Sequence, residues 1–165
     1  RWMELVSEIK RRPSPEYLTP AQRQALDQID AALRYPNRVN LYGPCGGGKT
    51  YVAWALVRRL GATHVPTPDG LHALAPGHEC LIIDSAPHHE YEVRRLLASA
   101  NLLGAISIVL VTCSPATMPM TRVSLPLPTP TEVQSVLKTY ARFGYYQQGD
   151  LPVNPGFWDI LSACV

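Results

Sequence analysis

The chain has 165 residues, 46% of them hydrophobic, and a formal net charge of +2, which suits one domain with at most an appendage. So small a charge gives no support for a nucleic-acid partner, and no apolar run approaches the ~20 residues that cross a bilayer. The opening Arg1-Trp2-Met3-Glu4 is not a signal peptide, since the stretch after it is amphipathic rather than continuously apolar.

Trp2 to Lys10 reads as a short helix with Leu5, Val6 and Ile9 on one face, and Arg11-Arg12-Pro13-Ser14-Pro15 as a linker. Thr19-Pro20 then supplies an N-cap and a first helical residue whose fixed φ and missing N–H cost nothing there. The helix they open carries Ala25, Leu26, Ile29, Ala32 and Leu33 and ends before Pro36-Asn37. Residues 1–36 are thus an N-terminal helical segment.

Arg38 to Tyr42 is a short strand, and Gly43-Pro44-Cys45-Gly46-Gly47-Gly48-Lys49-Thr50 fits the pattern G-x-x-x-x-G-K-[ST]. The pattern is meaningful only between a strand and a helix. Val52, Ala53, Ala55, Leu56, Val57 and Leu60 recur at helical spacing afterwards, with Gly61 as the stop. Glycines let the loop backbone turn its N–H groups toward phosphate oxygens, and the new helix adds its positive end. Such a loop is expected to bind a nucleoside triphosphate through Gly43 to Thr50 and Tyr51, with Lys49 on the β- and γ-phosphates and Thr50 on Mg²⁺.

Thr63-His64-Val65-Pro66 is a weak strand, and Asp69 to Ala75 a short helix. Glu79-Cys80-Leu81-Ile82-Ile83-Asp84 is an apolar strand ending in a carboxylate. Its distance from the loop leaves room for one strand–helix unit, which gives Asp84 the Walker B role of orienting Mg²⁺. The next residue is Ser85, whose hydroxyl is too weak a base to replace a carboxylate. Glu90, Glu92 and Asp69 are alternatives that the spacing does not decide. Hydrolysis is therefore expected to be slow, or to need a neighbouring subunit.

Tyr91 to Asn101 is a helix and Ala105 to Thr112 the strongest strand. Thr112 or Ser114 at its end either faces a γ-phosphate or simply finishes the strand. Arg122 to Pro126 is a last short strand, and Thr131 to Phe143 a final helix. Strands alternating with helices predict an α/β fold with a parallel sheet. Residues 37–130 form this core and 131–165 begin a further helical unit. The end at Val165 has the look of a helix cut short, as in a fragment of a longer protein.

The four cysteines, Cys45, Cys80, Cys113 and Cys164, contain no C-x-x-C pair. They read as free, buried or half-buried thiols of a cytoplasmic protein rather than as a disulfide framework. Cys45, within the phosphate loop at a helix N-terminus, could be redox-sensitive, but the sequence offers no test of it. His88-His89-Glu90 and Glu92 read as a solvated helix start rather than a metal cluster. Tyr140, Phe143, Tyr145 and Tyr146 read as packing of a small helical unit.

These elements, from about Leu18 to Phe143, resemble the AAA+ ATPases and their signalling relatives, the STAND proteins. The loop Gly43 to Thr50 and the strand Leu81 to Asp84 carry the resemblance. It implies a three-layer P-loop NTPase sandwich, a sensor position at Thr112 to Ser114, and the start of a C-terminal helical lid at Thr131. It also implies that Arg122 is placed as an arginine finger acting in trans on a neighbouring subunit's ATP. Ser85 departs from the family pattern. Two functions follow as expectations. One is an ATP- and Mg²⁺-dependent, homo-oligomeric ATPase that remodels a partner. The other is a switch that holds ATP or ADP with little turnover and regulates a fused or partner effector, as in defence signalling or transposition. A small-molecule kinase is weaker, for want of an arginine-rich lid.

Overall fold

The structure, a computed structural model, describes residues 18–132 and 134–136. The predicted helix at Trp2 to Lys10, its linker, the Tyr140 to Tyr146 aromatics and Cys164 lie outside them.

Helix α1 (Pro20–Ala32) starts as its sequence dictates. The Gln22 amide donates to Thr19 Oγ1 at 3.2 Å while the Gln22 side-chain oxygen accepts from the Thr19 amide at 2.9 Å. This reciprocal cap is worth about 1 kcal/mol. It is followed by β1 (Arg38–Tyr42), α2 (Lys49–Leu60), β2 (Thr63–Val65), a 3₁₀ segment (Pro68–Ala73), β3 (Cys80–Ile83), α3 (Glu90–Leu102), β4 (Ser107–Thr112) and β5 (Thr121–Ser124). Gly61 ends α2 in the left-handed conformation, φ 66°, as its position predicts.

The five strands form one sheet in the order β2-β3-β4-β1-β5, parallel at every pairing. Alternate residues of each strand face opposite layers. Val39, Leu41, Ile82, Val109, Val111 and Val123 pack with Leu26 and Ile29 of α1 and Val52 and Leu56 of α2. Leu81, Ile83, Ile108 and Leu110 pack with Val93 and Leu97 of α3 and with Leu71. β4 is buried along its whole length, which is why it reads as an unbroken apolar run. Each fully buried Leu or Ile adds about 2 kcal/mol by transfer from water. The molecule is therefore the predicted three-layer α/β sandwich.

Several boundaries shift for local reasons. β4 begins at Ser107 rather than Ala105 because the Ala105 amide is used in the turn after α3, donating to Ala100 at 3.2 Å. The segment predicted as a helix from Asp69 to Ala75 is a 3₁₀ turn, closed by Leu74 donating to Leu71 at 3.2 Å. β5 starts one residue early, at Thr121, and its ladder finishes with Leu125 donating to Tyr42 at 2.8 Å, since Pro126 has no N–H. The last described helical backbone begins at 130, not 131. Thr129 and Glu132 form a second reciprocal cap around Pro130, with bonds of 2.7 and 3.3 Å.

Candidate phosphate-loop site

β1 and β4 are neighbours with Tyr42 opposite Thr112, so the chain leaves both strands at the same edge of the sheet. The Gly43 amide extends this pairing by donating to the Thr112 carbonyl at 3.3 Å. A Cβ at position 43 would overlap the Leu125 carbonyl oxygen, so only glycine fits between β1 and the end of β5. Gly48 caps α2 with φ 80°, a left-handed value that side chains resist. A Cβ there would meet the Gln22 side-chain nitrogen. That nitrogen donates to the Gly47 carbonyl at 3.1 Å, and Gln22 is buried.

Lys49 opens α2 and is buried, with its ammonium donating to the carbonyls of Gly43 and Pro44, both at 2.8 Å. The cation is thus held directly against the loop. One residue on, the Thr50 hydroxyl donates to Asp84 Oδ2 at 2.6 Å. The Ser85 amide donates to Asp84 Oδ1 at 2.8 Å, and His64 Nε2 lies 3.4 Å from Oδ2. Burial alone would raise the Asp84 pKa. The bonds from His64, Thr50 and the Ser85 amide outweigh it and hold the carboxyl below its ordinary value. Asp84 is therefore a carboxylate at neutral pH. Ser85, directly beside it, has φ 51°, the one non-glycine residue with positive φ among those described.

Thr112 is buried and its hydroxyl has two partners: it accepts from the Asn40 amide at 2.8 Å and donates to the Ser114 carbonyl at 2.6 Å. Asn40, fully buried on β1, also donates to Leu110 at 3.1 Å and accepts from the Ala116 amide at 2.8 Å. Arg122 stands opposite Asn40 on β5 and donates to the Ala116 carbonyl at 2.6 Å. The loop between β4 and β5 is thus held at Ala116 from both sides.

The predicted residues Gly43, Pro44, Cys45, Gly46, Gly47, Gly48, Lys49, Thr50 and Asp84 come together at one end of the sheet. Thr112 joins them through its carbonyl bond to Gly43. Arg122 meets the group through Ala116, and the Tyr51 ring is buried edge-on to Trp54, with centroids 6.3 Å apart. Glu90, one of the alternatives to Ser85, is paired to Arg94 at 2.6 Å. Cys45 and Cys113, predicted buried or half-buried, are exposed; Cys80 is partly buried. Gln22, Asn40 and His64 were not anticipated from sequence.

This set fits a nucleotide and its metal. The glycines keep the loop free of side chains, and α2 is long enough, at 12 residues, to present a full positive end. Thr50 and Asp84 are hard oxygen donors. Mg²⁺ takes one or two such protein oxygens and completes its shell with phosphate and water. Among the described residues, no group of three or more His, Cys, Asp and Glu could hold a metal without such help. A cleft of about 240 Å³ lies between the start of α1 (Leu18, Pro20, Arg23) and the helical stretch carrying Thr131, Glu132 and Val136. Among the described residues, no helix is long and apolar enough to cross a membrane.

Neither a family model nor a curated protein matches the sequence. Solved structures do match the fold. The RuvB Holliday junction branch migration motor of Thermotoga maritima aligns with a TM-score of 0.56 and 20% identity, over 94% of this chain and 64% of that one. AMPPCP-bound DnaA from Aquifex aeolicus aligns with a TM-score of 0.50 and 14% identity, over 90% of this chain and 59% of that one. The chain thus spans less than two thirds of either structure's length. At such identities the likeness is one of fold: with its parallel sheet and its glycine-rich loop between β1 and α2, the chain has a P-loop NTPase fold.

Proposed function

We propose that the chain is an ATP-binding, AAA+-like ATPase domain whose nucleotide state drives self-assembly or remodelling of a partner. The observation that carries this reading is the 2.6 Å bond between Thr50 and Asp84, made by the residue that follows Lys49, whose buried ammonium is held against the loop carbonyls of Gly43 and Pro44. It unites two motif elements that lie 34 residues apart and suit phosphate and Mg²⁺. In this reading Lys49 neutralises charge on the triphosphate, Thr50 and Asp84 hold the metal, and Thr112 fixes the end of β4. Mg²⁺, when bound, supplies Lewis-acid stabilisation of the phosphoryl group. Arg122 acts in trans on the ATP of a neighbouring copy. The cleft between the start of α1 and the stretch carrying Thr131, Glu132, Ser135 and Val136 suits the nucleoside, with residues 131–165 as the beginning of the helical lid and residues 1–36 as an N-terminal segment whose α1 packs on the 37–130 core.

A second reading is supported by Ser85. Its amide is tied to Asp84, and its hydroxyl offers no base for activating water. In that reading the domain is a STAND-like switch that retains ADP or ATP and controls a fused or partner effector. ATP turnover per protomer, followed across protein concentration with Lys49→Ala as the blank, separates the two. A rate that climbs with concentration supports the assembling ATPase; a rate no higher than the blank, with nucleotide still bound, supports the switch. A Lys49→Ala protein that binds ATP as well as the wild type would overturn both.

A further inference from the structure

Cys45 lies in the phosphate loop and Cys113 follows the last residue of β4. Their sulfurs are 3.0 Å apart although 68 residues separate them in sequence. Both are exposed. The contact is set by the sheet: Tyr42 is opposite Thr112, Gly43 donates to Thr112, and the two thiols sit just past these paired ends. A disulfide requires about 2.05 Å between sulfurs, so closure asks for a movement of roughly 1 Å in two exposed side chains. We propose that Cys45 and Cys113 form a reversible disulfide that blocks nucleotide binding at the phosphate loop.

The inference rests on the nucleotide-binding reading of this loop. The loop must wrap its N–H groups around a phosphate, and a covalent tie from Cys45 to the end of β4 removes that freedom. The pair also lies at the site itself: the Cys113 thiol feels both the Lys49 ammonium and the Asp84 carboxylate. Its own pKa is raised, first by its hydrogen bond with Cys45 and then by burial. In the reduced protein the two thiols thus hold each other in place.

The oxidant is a low-molecular-weight disulfide. One cysteine thiolate attacks a sulfur of that disulfide, forming a mixed disulfide and releasing one thiolate, which takes up a proton. The second cysteine thiolate then attacks the protein sulfur of the mixed disulfide, and the second small thiol leaves in the same way. Two protein thiols lose two electrons in all, and one small disulfide becomes two thiols. Excess dithiol reverses both steps.

The test incubates the whole chain in glutathione buffers of graded ratio. It reads the Cys45–Cys113 crosslink by peptide mass under non-reducing conditions and the affinity for a fluorescent ATP analogue in parallel. The expected result is a crosslinked peptide pair and at least a tenfold loss of affinity, both reversed by dithiothreitol. Cys113→Ser and Cys113→Ala, whatever their starting affinity, are each expected to show no crosslink and no change of affinity between reducing and oxidising buffers. No crosslink, or a crosslink that leaves affinity unchanged, overturns the proposal while reduced protein still binds. Reduced protein that binds no nucleotide, whatever its crosslink, instead fails the nucleotide reading and the switch with it.

Discussion

The side-chain nitrogen of Gln22 donates to the carbonyl of Gly47 at 3.1 Å, while its oxygen caps the Thr19 amide at 2.9 Å. One buried amide thereby joins the start of α1 to the phosphate loop. Gln22→Glu retains an acceptor for Thr19 but loses the donor to Gly47 and sets a carboxylate against a carbonyl. We expect a stability loss of about 1–3 kcal/mol and a nucleotide affinity lowered at least tenfold, read by thermal melting and by titration calorimetry. Equal affinity would mean that Gln22 only caps its own helix.

Asp84→Asn keeps the shape of the side chain and removes its charge. Thr50 still has an acceptor, so the fold is expected to survive, but a neutral amide is a poor Mg²⁺ partner. Chelating Mg²⁺ should weaken ATP binding to the wild type severalfold and leave binding to Asp84→Asn nearly unchanged. If the two proteins respond alike to chelation, Asp84 is not at the metal.

Asn40→Ala removes three bonds from the sheet interior: the Ala116 amide loses its acceptor and the Leu110 carbonyl a donor, while the Thr112 hydroxyl keeps only its bond to Ser114. Buried groups left without partners cost about 1–3 kcal/mol each, in part relieved by relaxation. A total of about 3 kcal/mol, or roughly 10 °C in Tm for a domain of this size, is expected. A Tm within 2 °C of wild type would show that the β4–β5 loop is held by other contacts.

Arg122→Ala is expected to abolish concentration-dependent turnover while ATP affinity stays within about twofold. Loss of the bond to Ala116 is a separate, structural effect, and Arg122→Lys distinguishes them. Lysine can reach a carbonyl, but it lacks the planar fork with which arginine meets phosphate. If Arg122→Lys turns over ATP like the wild type, the residue is a loop clamp and not a finger.

What sequence disclosed was local. The run from Gly43 to Thr50 is contiguous, and its strand and helix flank it directly, so residue type and periodicity were enough to read it. Asp84 was legible because it ends an apolar strand at a plausible distance. Gln22 was half legible, since Thr19-Pro20 announced the cap, but its hold on Gly47 is 25 residues away. Asn40 and His64 gave no signal: their partners, Thr112 and Asp84, are 72 and 20 residues on and meet them only through sheet packing. The thiol pair was hidden for the same reason, because spacing along the chain says nothing about which strand ends adjoin. Boundaries slipped where one amide had a competing partner, as at Ala105.

The close approach of Gly43 to the Leu125 carbonyl separates two pressures that a motif usually confounds. A side chain at 43 collides with the backbone at the end of β5 before any phosphate enters, so this first glycine is required for the sheet to close. Descendants of this domain that had lost all use for nucleotide would therefore be free to change Lys49 and still be bound to keep Gly43. Among such sequences, the lysine records function and the glycine only ancestry of fold.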